Sequence, residues 1–383
     1  MSTTRPRPLT VLVVGAGGYL GFGVCNAFLR ATGKPPESPQ FRVYGLVRRA
    51  SAARALAAAE IIPVVGSLDD RGAVCDTLLR HSNVWDVIVT CTEPSHTDPA
   101  ELVKHWDDVL ALVQGLASSS NSAHGVRPFV LWSSGCKDYG MTALHGEQQL
   151  VPHTEDSPLV LHPIIRSRIQ GALRALEVSV ADDGAAGFDV AIVRATPIFG
   201  YSASYYAAIL EYASATAAAS QGDATRLLRL PAKANTIIHG LHLDDCADGY
   251  VALAMTALFG GEDRERGRPA VLGQAFNISG RRYETLQEIG AALAAEYGFD
   301  GGVEFGVAPD QLPHAVSHAA VSIAFAWSQW VGSDKIRRVT GWTDRRPLFA
   351  ENLHVYRLAY EAAAEALSDD VDRVRKRLDR WSK

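Results

Sequence analysis

Leu9 to Val14 is an unbroken apolar run rich in branched side chains, the pattern of a strand buried on both faces. It leads into Gly15-Ala16-Gly17-Gly18-Tyr19-Leu20-Gly21, where the glycines predict a tight turn, and then into a helix from Phe22 to Ala31. The rhythm then repeats. Strands are expected at Phe41 to Val47, Ile61 to Val65, Val84 to Cys91 and Phe129 to Ser133. Helices are expected between them at Ser51 to Glu60, Arg71 to His81 and Ala100 to Leu116. Gly33 to Gln40, with three prolines, reads as a long loop, and Ser118 to His124 as a polar loop. Strand alternating with helix points to a parallel sheet covered on both faces.

The second half is less regular. Helices are expected at Pro163 to Val180, Tyr205 to Ser220, Asp244 to Leu258 and Tyr283 to Tyr297, with Asp244 or Asp245 as the N-cap of the third. Strands are expected at Asp189 to Arg194, Thr236 to Leu241 and Ala275 to Ile278. Gly260 to Pro269 is a charged surface loop, and Pro347 to Arg380 is one or two helices with a break at Ser368-Asp369-Asp370. The fold class is therefore α/β: a Rossmann-like, doubly wound parallel sheet with a smaller C-terminal lobe. Residues 1–200 mainly build the sheet and 201–383 mainly the lobe, with 236–258 returning to the sheet.

Bulk numbers narrow the function classes. With 47% hydrophobic and 21% charged residues the chain reads as globular. A net charge of −5 gives no electrostatic footing for nucleic acid or an anionic membrane. Cys25, Cys75, Cys91, Cys136 and Cys246 are scattered and odd in number, which suits reduced thiols and a cytoplasmic location. No metal-ligand spacing occurs. The polar N-terminus offers neither a secretory segment nor a membrane span.

The glycine turn carries the first chemistry. Gly-x-x-Gly-x-x-Gly between strand and helix lets backbone amides approach a pyrophosphate at a helix N-terminus, which marks Gly15, Gly17, Gly18, Tyr19, Leu20 and Gly21 as candidate cofactor contacts. The second strand ends in Arg48-Arg49 with no acid, and two guanidiniums suit a 2′-phosphate, so NADP(H) is the expected cofactor. Thr90, Cys91 and Thr92 end the fourth strand and should line the same groove.

Six stretches in order resemble the extended short-chain dehydrogenase/reductase family of nucleotide-sugar epimerases and dehydratases. They are the glycine turn; Ser133-Ser134-Gly135-Cys136-Lys137-Asp138-Tyr139-Gly140; Arg194-Ala195-Thr196-Pro197-Ile198-Phe199-Gly200; His242-Leu243-Asp244-Asp245; Asn277-Ile278-Ser279; and Asp334-Lys335-Ile336 to Gly341-Trp342. The resemblance implies Ser67 and Leu68 beside the adenine, Pro197 against the cofactor, and a homodimer. It also implies that His242 and Asp244 order a loop and a helix start.

The resemblance further implies a catalytic tyrosine, a lysine four residues later and a nearby hydroxyl. No Tyr-x-x-x-Lys occurs in the 383 residues. One register puts Arg168 at the lysine and Ile164 at the tyrosine; the other puts Arg166 and His162 there. The hydroxyl position falls on Gly135, with Ser134 adjacent. Substitute acids are His162 by its ordinary pKa, Tyr139 by chemical type, and Cys136 or Lys137 by location. Three functions stay open: reduction or epimerisation of a small carbonyl or hydroxyl metabolite with an unusual proton donor, a non-redox isomerase, cyclase or lyase, and a non-catalytic NADP(H) sensor.

Cys136, Tyr201, Tyr205, Tyr206 and Trp327 are the candidate substrate contacts, with Phe325 and Trp330 near Trp327 in sequence. Aromatic walls would favour a planar or apolar metabolite, whereas Arg226, Arg229 and Lys233 would serve a sugar diphosphate.

Overall fold

The computed structural model describes residues 7–32, 39–94, 98–180, 187–202, 205–223, 225–308, 311–312, 324–366, 371–372 and 375–376. Seven parallel strands form one sheet. In chain order they are β1 (Leu9–Val14), β2 (Phe41–Val47), β3 (Ile62–Val65), β4 (Val87–Thr90), β5 (Phe129–Gly135), β6 (Asp189–Ala195) and, later, a strand at Gln274–Ile278. Their spatial order is β3-β2-β1-β4-β5-β6 and then Gln274–Ile278. The order reverses between β1 and β4, and ligands of such sheets bind beyond the strand ends at that point.

Strand alternation sorts the core. Val11 and Val13 of β1 face α1 (Tyr19–Ala31) and a later helix, Leu243–Phe259, through Val24, Phe28 and Tyr250. Leu12 and Val14 face the other way, among Val74 and Leu78 of α3 (Arg71–His81), Val109 and Val113 of α4 (Pro99–His124), and Ala172 and Ala175 of α5 (Arg166–Val180), whereas α2 (Ala50–Ala58) packs through Leu56 on the face of Val11 and Val13. Both faces are thus buried, which is why these strands read as continuous apolar runs.

The lobe follows. Its elements are β7 (Ile198–Phe199), α6 (Tyr205–Ala219), β8 (Leu228–Leu230), β9 (Ile237–Ile238), β10 (Leu241–His242), α7 (Leu243–Phe259), β11 (Gln274–Ile278), β12 (Glu284–Thr285), α8 (Leu286–Tyr297), β13 (Val303–Phe305), α9 (Asp334–Thr340) and α10 (Leu353–Glu365). Of these, α7, β11 and α9 pack on the sheet domain. β7, α6, β8, β9, α8, β13 and α10 contribute to a second core around Tyr206, Leu230, Leu293, Phe325 and Phe349.

Several expected boundaries move. The polar stretch 118–124 belongs to α4 rather than to a loop, because its polar side chains bond locally: Ser120 Oγ donates to Leu116 O at 2.9 Å and Asn121 Nδ2 to Ala117 O at 2.8 Å. His242, not Asp244 or Asp245, caps α7, since its Nδ1 accepts from Asp244 N at 3.1 Å. Asp245 instead accepts from Arg345 N and Arg346 N. The helix expected from Pro163 starts at Arg166, after a turn. The one expected from Tyr283 starts after Thr285, which forms a capping box with Glu288. Ser368-Asp369-Asp370 and most of the 33–40 loop lie outside the described residues. No helix among the described residues is long and apolar enough to cross a membrane.

Gly15 is a point where the backbone tolerates nothing larger. Its φ is +86°, and a Cβ there would stand 2.6 Å from the carbonyl oxygen of Cys91. Gly15→Ala is expected to cost about 2–4 kcal/mol, through left-handed strain and backbone overlap together. Urea unfolding checks this; an unchanged midpoint would mean that the β1–α1 turn relaxes freely.

Candidate active site

Four strand ends frame the first half of the site. Gly18 stands at the N-cap of α1 with no side-chain cap. Leu20 is partly buried against the sheet core, and the Tyr19 hydroxyl donates to Gly200 O at 2.5 Å, tying the turn to the lobe. Arg48 and Arg49 follow β2 and are exposed. The Ser67 hydroxyl caps the short turn Leu68–Asp70, accepting from Asp69 N and donating to the Asp69 carboxylate. Leu68 packs partly against the core.

At the end of β4, Thr90 is buried and its hydroxyl accepts from Ser133 N at 3.2 Å, so it is turned into the sheet. The Cys91 thiol lies 3.6 Å from Ser133 Oγ, and burial pushes its pKa up to about 12. Thr92 Oγ1 is 3.5 Å from His105 Nε2. Burial first, and then the charge of Arg48, push the His105 pKa down to about 4. Arg48, Thr92 and His105 therefore share one wall. His105 escaped the sequence reading because a single histidine inside a long helix carries no motif.

The end of β5 forms the second half. Gly135 has no side chain, and the guanidinium of Arg168 takes that space: a Cβ on Gly135 would lie 3.1 Å from Arg168 Nη2. Arg168 donates to Asp138 Oδ1 at 2.6 Å, while Arg166 is exposed. The helix thus turns Arg168, not Arg166, toward β5. The Ser134 hydroxyl donates to the other Asp138 oxygen. Ile164 is exposed. His162 stands edge-on to Trp327, with ring centroids 5.9 Å apart.

Tyr139 does not open on the groove. It is buried, stacks on His153, donates to Asn277 Oδ1 at 2.8 Å and accepts from Arg194 Nη1 at 2.9 Å. Burial drives its pKa upward, which makes the phenol a worse acid. Cys136 is likewise buried, its thiol against Arg194 O at 3.1 Å and its pKa raised by desolvation.

Between β5 and the lobe lies a narrow cleft, partly open to solvent. Its walls include Lys137, Pro197, Tyr205, Tyr206, His239 and Trp327. Lys137 Nζ sits 4.3 Å from the centroid of the Trp327 ring. Protein atoms surround the amine while part of the residue stays open to the cleft. Burial, then the charge of Arg168, push its pKa down to about 7. His239 is neutral there: its Nε2 lies 3.0 Å from Gly280 O, its Nδ1 accepts from Val331 N, and burial holds its pKa at about 4.

Other candidates lie apart from this cleft. Tyr201 borders a second, smaller cavity and donates to Asp244 Oδ2 at 2.8 Å. Phe325 belongs to the lobe core, and Trp330 packs on Tyr283. Arg226 donates to Ala217 O and lies over the Phe299 ring, and Arg229 pairs with Glu304 at 3.1 Å. Lys233 is exposed. Among the described residues no group of three or more His, Cys, Asp or Glu could hold a metal ion.

Solved structures share this fold. A dTDP-glucose 4,6-dehydratase from Bacillus anthracis, in complex with NAD, superposes with a TM-score of 0.65 at 16% identity, over 93% of this chain and 98% of that one. The chain has the extended short-chain dehydrogenase/reductase fold. A UDP-glucuronic acid 4-epimerase from Bacillus cereus, with UDP-glucuronic acid and NAD, gives 0.62 at 15% identity, over 92% and 99%. A UDP-Glc/GlcNAc 4-epimerase from Campylobacter jejuni gives 0.62 at 18% identity, over 93% and 99%. No protein-family model matches the sequence, and no curated protein does. A shared fold does not fix an activity, which depends on the residues of the site.

Proposed function

We propose that the chain is an enzyme that binds NADP(H) and acts at a carbonyl or hydroxyl carbon of a small metabolite, with Lys137 giving and taking the proton. The observation that carries this is the position of Lys137: an amine with a pKa near 7, in a cleft beyond the end of β5, two strands from β1 and its glycine turn in the same sheet. An acid tuned toward neutrality is what proton transfer at a carbonyl oxygen requires.

The residues present fit a dinucleotide. The Cβ-free turn at Gly15, the uncapped start of α1 and the exposed arginines after β2 provide, in turn, room, a positive helix end and cations for a 2′-phosphate. Structures of the same fold hold NAD. The bound nicotinamide would supply or accept hydride. Arg168, fixed by Asp138, takes the place that the sequence register gives to the missing lysine and stays charged at any working pH.

The pair Arg48→Ala/Arg49→Ala is expected to weaken NADPH binding about 10–100-fold and leave NADH binding nearly unchanged, because two charge-assisted contacts are lost only to the former. Calorimetric titration with both nucleotides decides it; equal losses for both would remove the 2′-phosphate assignment.

The missing Tyr-x-x-x-Lys pair favours a second reading, non-redox isomerase, cyclase or lyase chemistry in the same cleft. Turnover with steady NADPH oxidation supports the first reading, and turnover with none supports the second.

A further inference from the structure

We infer that the substrate is a phosphate-free aromatic carbonyl compound, its oxygen at Lys137 and its ring against the apolar wall of the cleft. This rests on the reading that the cleft beside Lys137 is the reaction site. It departs from the nucleotide-sugar enzymes that share the fold.

The charge of the cleft wall argues against a diphosphate. A diphosphate ester needs at least two cations free to meet it. Among the described residues Lys137 is the only lysine or arginine in the cleft wall. Lys233 is exposed on the lobe surface and does not line the cleft, and several other described cations of the lobe are committed elsewhere. Arg226 serves Ala217 O and Phe299, and Arg229 serves Glu304. Arg281 and Arg337 converge on Asp344, Arg282 on Glu288, and Arg346 on Asp244. Lys137 itself sits where burial disfavours its charge, the reverse of a site built to hold a polyanion.

The remaining walls describe the ligand's body. Tyr205, Tyr206, Ile209, Ile238, Ala324 and Trp327 give two phenols, an indole and three aliphatic side chains. One ring of the ligand fits such walls, because aromatic pairs add to area burial. The indole Nε1 of Trp327 is buried with no acceptor among the described residues. Together with Lys137 Nζ it supplies donors for a single oxygen, and a carbonyl offers that acceptor at low desolvation cost.

The test is a fluorescence titration of the full chain with acetophenone and, separately, with UDP-glucose, alongside Trp327→Leu and Ile209→Asp. The expected result is saturable binding of acetophenone, weakened about 3–10-fold by Trp327→Leu and abolished by Ile209→Asp, with no saturable binding of UDP-glucose. Circular dichroism of both variants confirms folding. UDP-glucose binding tighter than acetophenone, or acetophenone binding indifferent to both variants, overturns the inference. NADPH titration of the same preparation separates the two failures: intact NADPH binding without acetophenone binding sinks only the substrate class, and loss of NADPH binding sinks the cofactor reading.

Discussion

Lys137→Met is expected to lower kcat for carbonyl reduction with NADPH by about 10²–10⁴-fold, with a much smaller change in KM. The amine is the acid of the cleft with a pKa near the working pH, while Tyr139 and Cys136 are buried away from it with their protons held more tightly. Methionine keeps the length and apolar contact with Trp327, so binding survives while the proton is lost. The pH profile gives a second readout. The Lys137 pKa is lowered from 10.5 to about 7, so the amine is charged below pH 7 and neutral above it. Reduction consumes its proton, so kcat falls as pH rises through about 7. Oxidation of the alcohol needs the neutral amine, so that direction rises through the same range. Lys137→Arg keeps the charge but holds its proton throughout, and is expected to lose both the activity and the pH step. Full turnover in Lys137→Met would remove the amine from the mechanism.

The sequence made the sheet legible because its strands are buried on both faces. A strand such as Leu9–Val14 must then be apolar at every position, and no competing pattern exists. The tail of α4 was not legible, because serine and asparagine favour turns by bonding to the backbone; here Ser120 and Asn121 spend those bonds on the preceding helical turn. At the site, the glycine turn and Arg48-Arg49 could be read from local spacing alone. Two helical registers could not be separated, since Arg166 and Arg168 differ only in which way the helix turns them. Lys137 could be named by location, but its depressed pKa depends on burial in the folded cleft and on Arg168, from another helix. Tyr139 had the right chemical type for an acid. Arg194 and Asn277, brought in by β6 and β11, explain why its hydroxyl is turned inward.

Replacing Asp138 with Asn is expected to destabilise the chain by about 3–5 kcal/mol. Asp138 is buried, with Arg168 at 2.6 Å on one oxygen, Arg194 at 3.7 Å and the Ser134 hydroxyl on the other. Removing its charge leaves two largely buried guanidiniums facing an amide, and uncompensated buried charge is among the costliest single changes. Ser134→Ala removes one neutral donor from the same carboxylate and should cost only about 0.5–1.5 kcal/mol. The double variant Asp138→Leu/Arg168→Met should recover part of the loss, because it removes a donor and an acceptor of the network together. Urea midpoints of the four proteins test the whole set. A shift below about 1 kcal/mol for Asp138→Asn would mean that water reaches Arg168 freely, and the case that Asp138 fixes the guanidinium over Gly135 would fall with it.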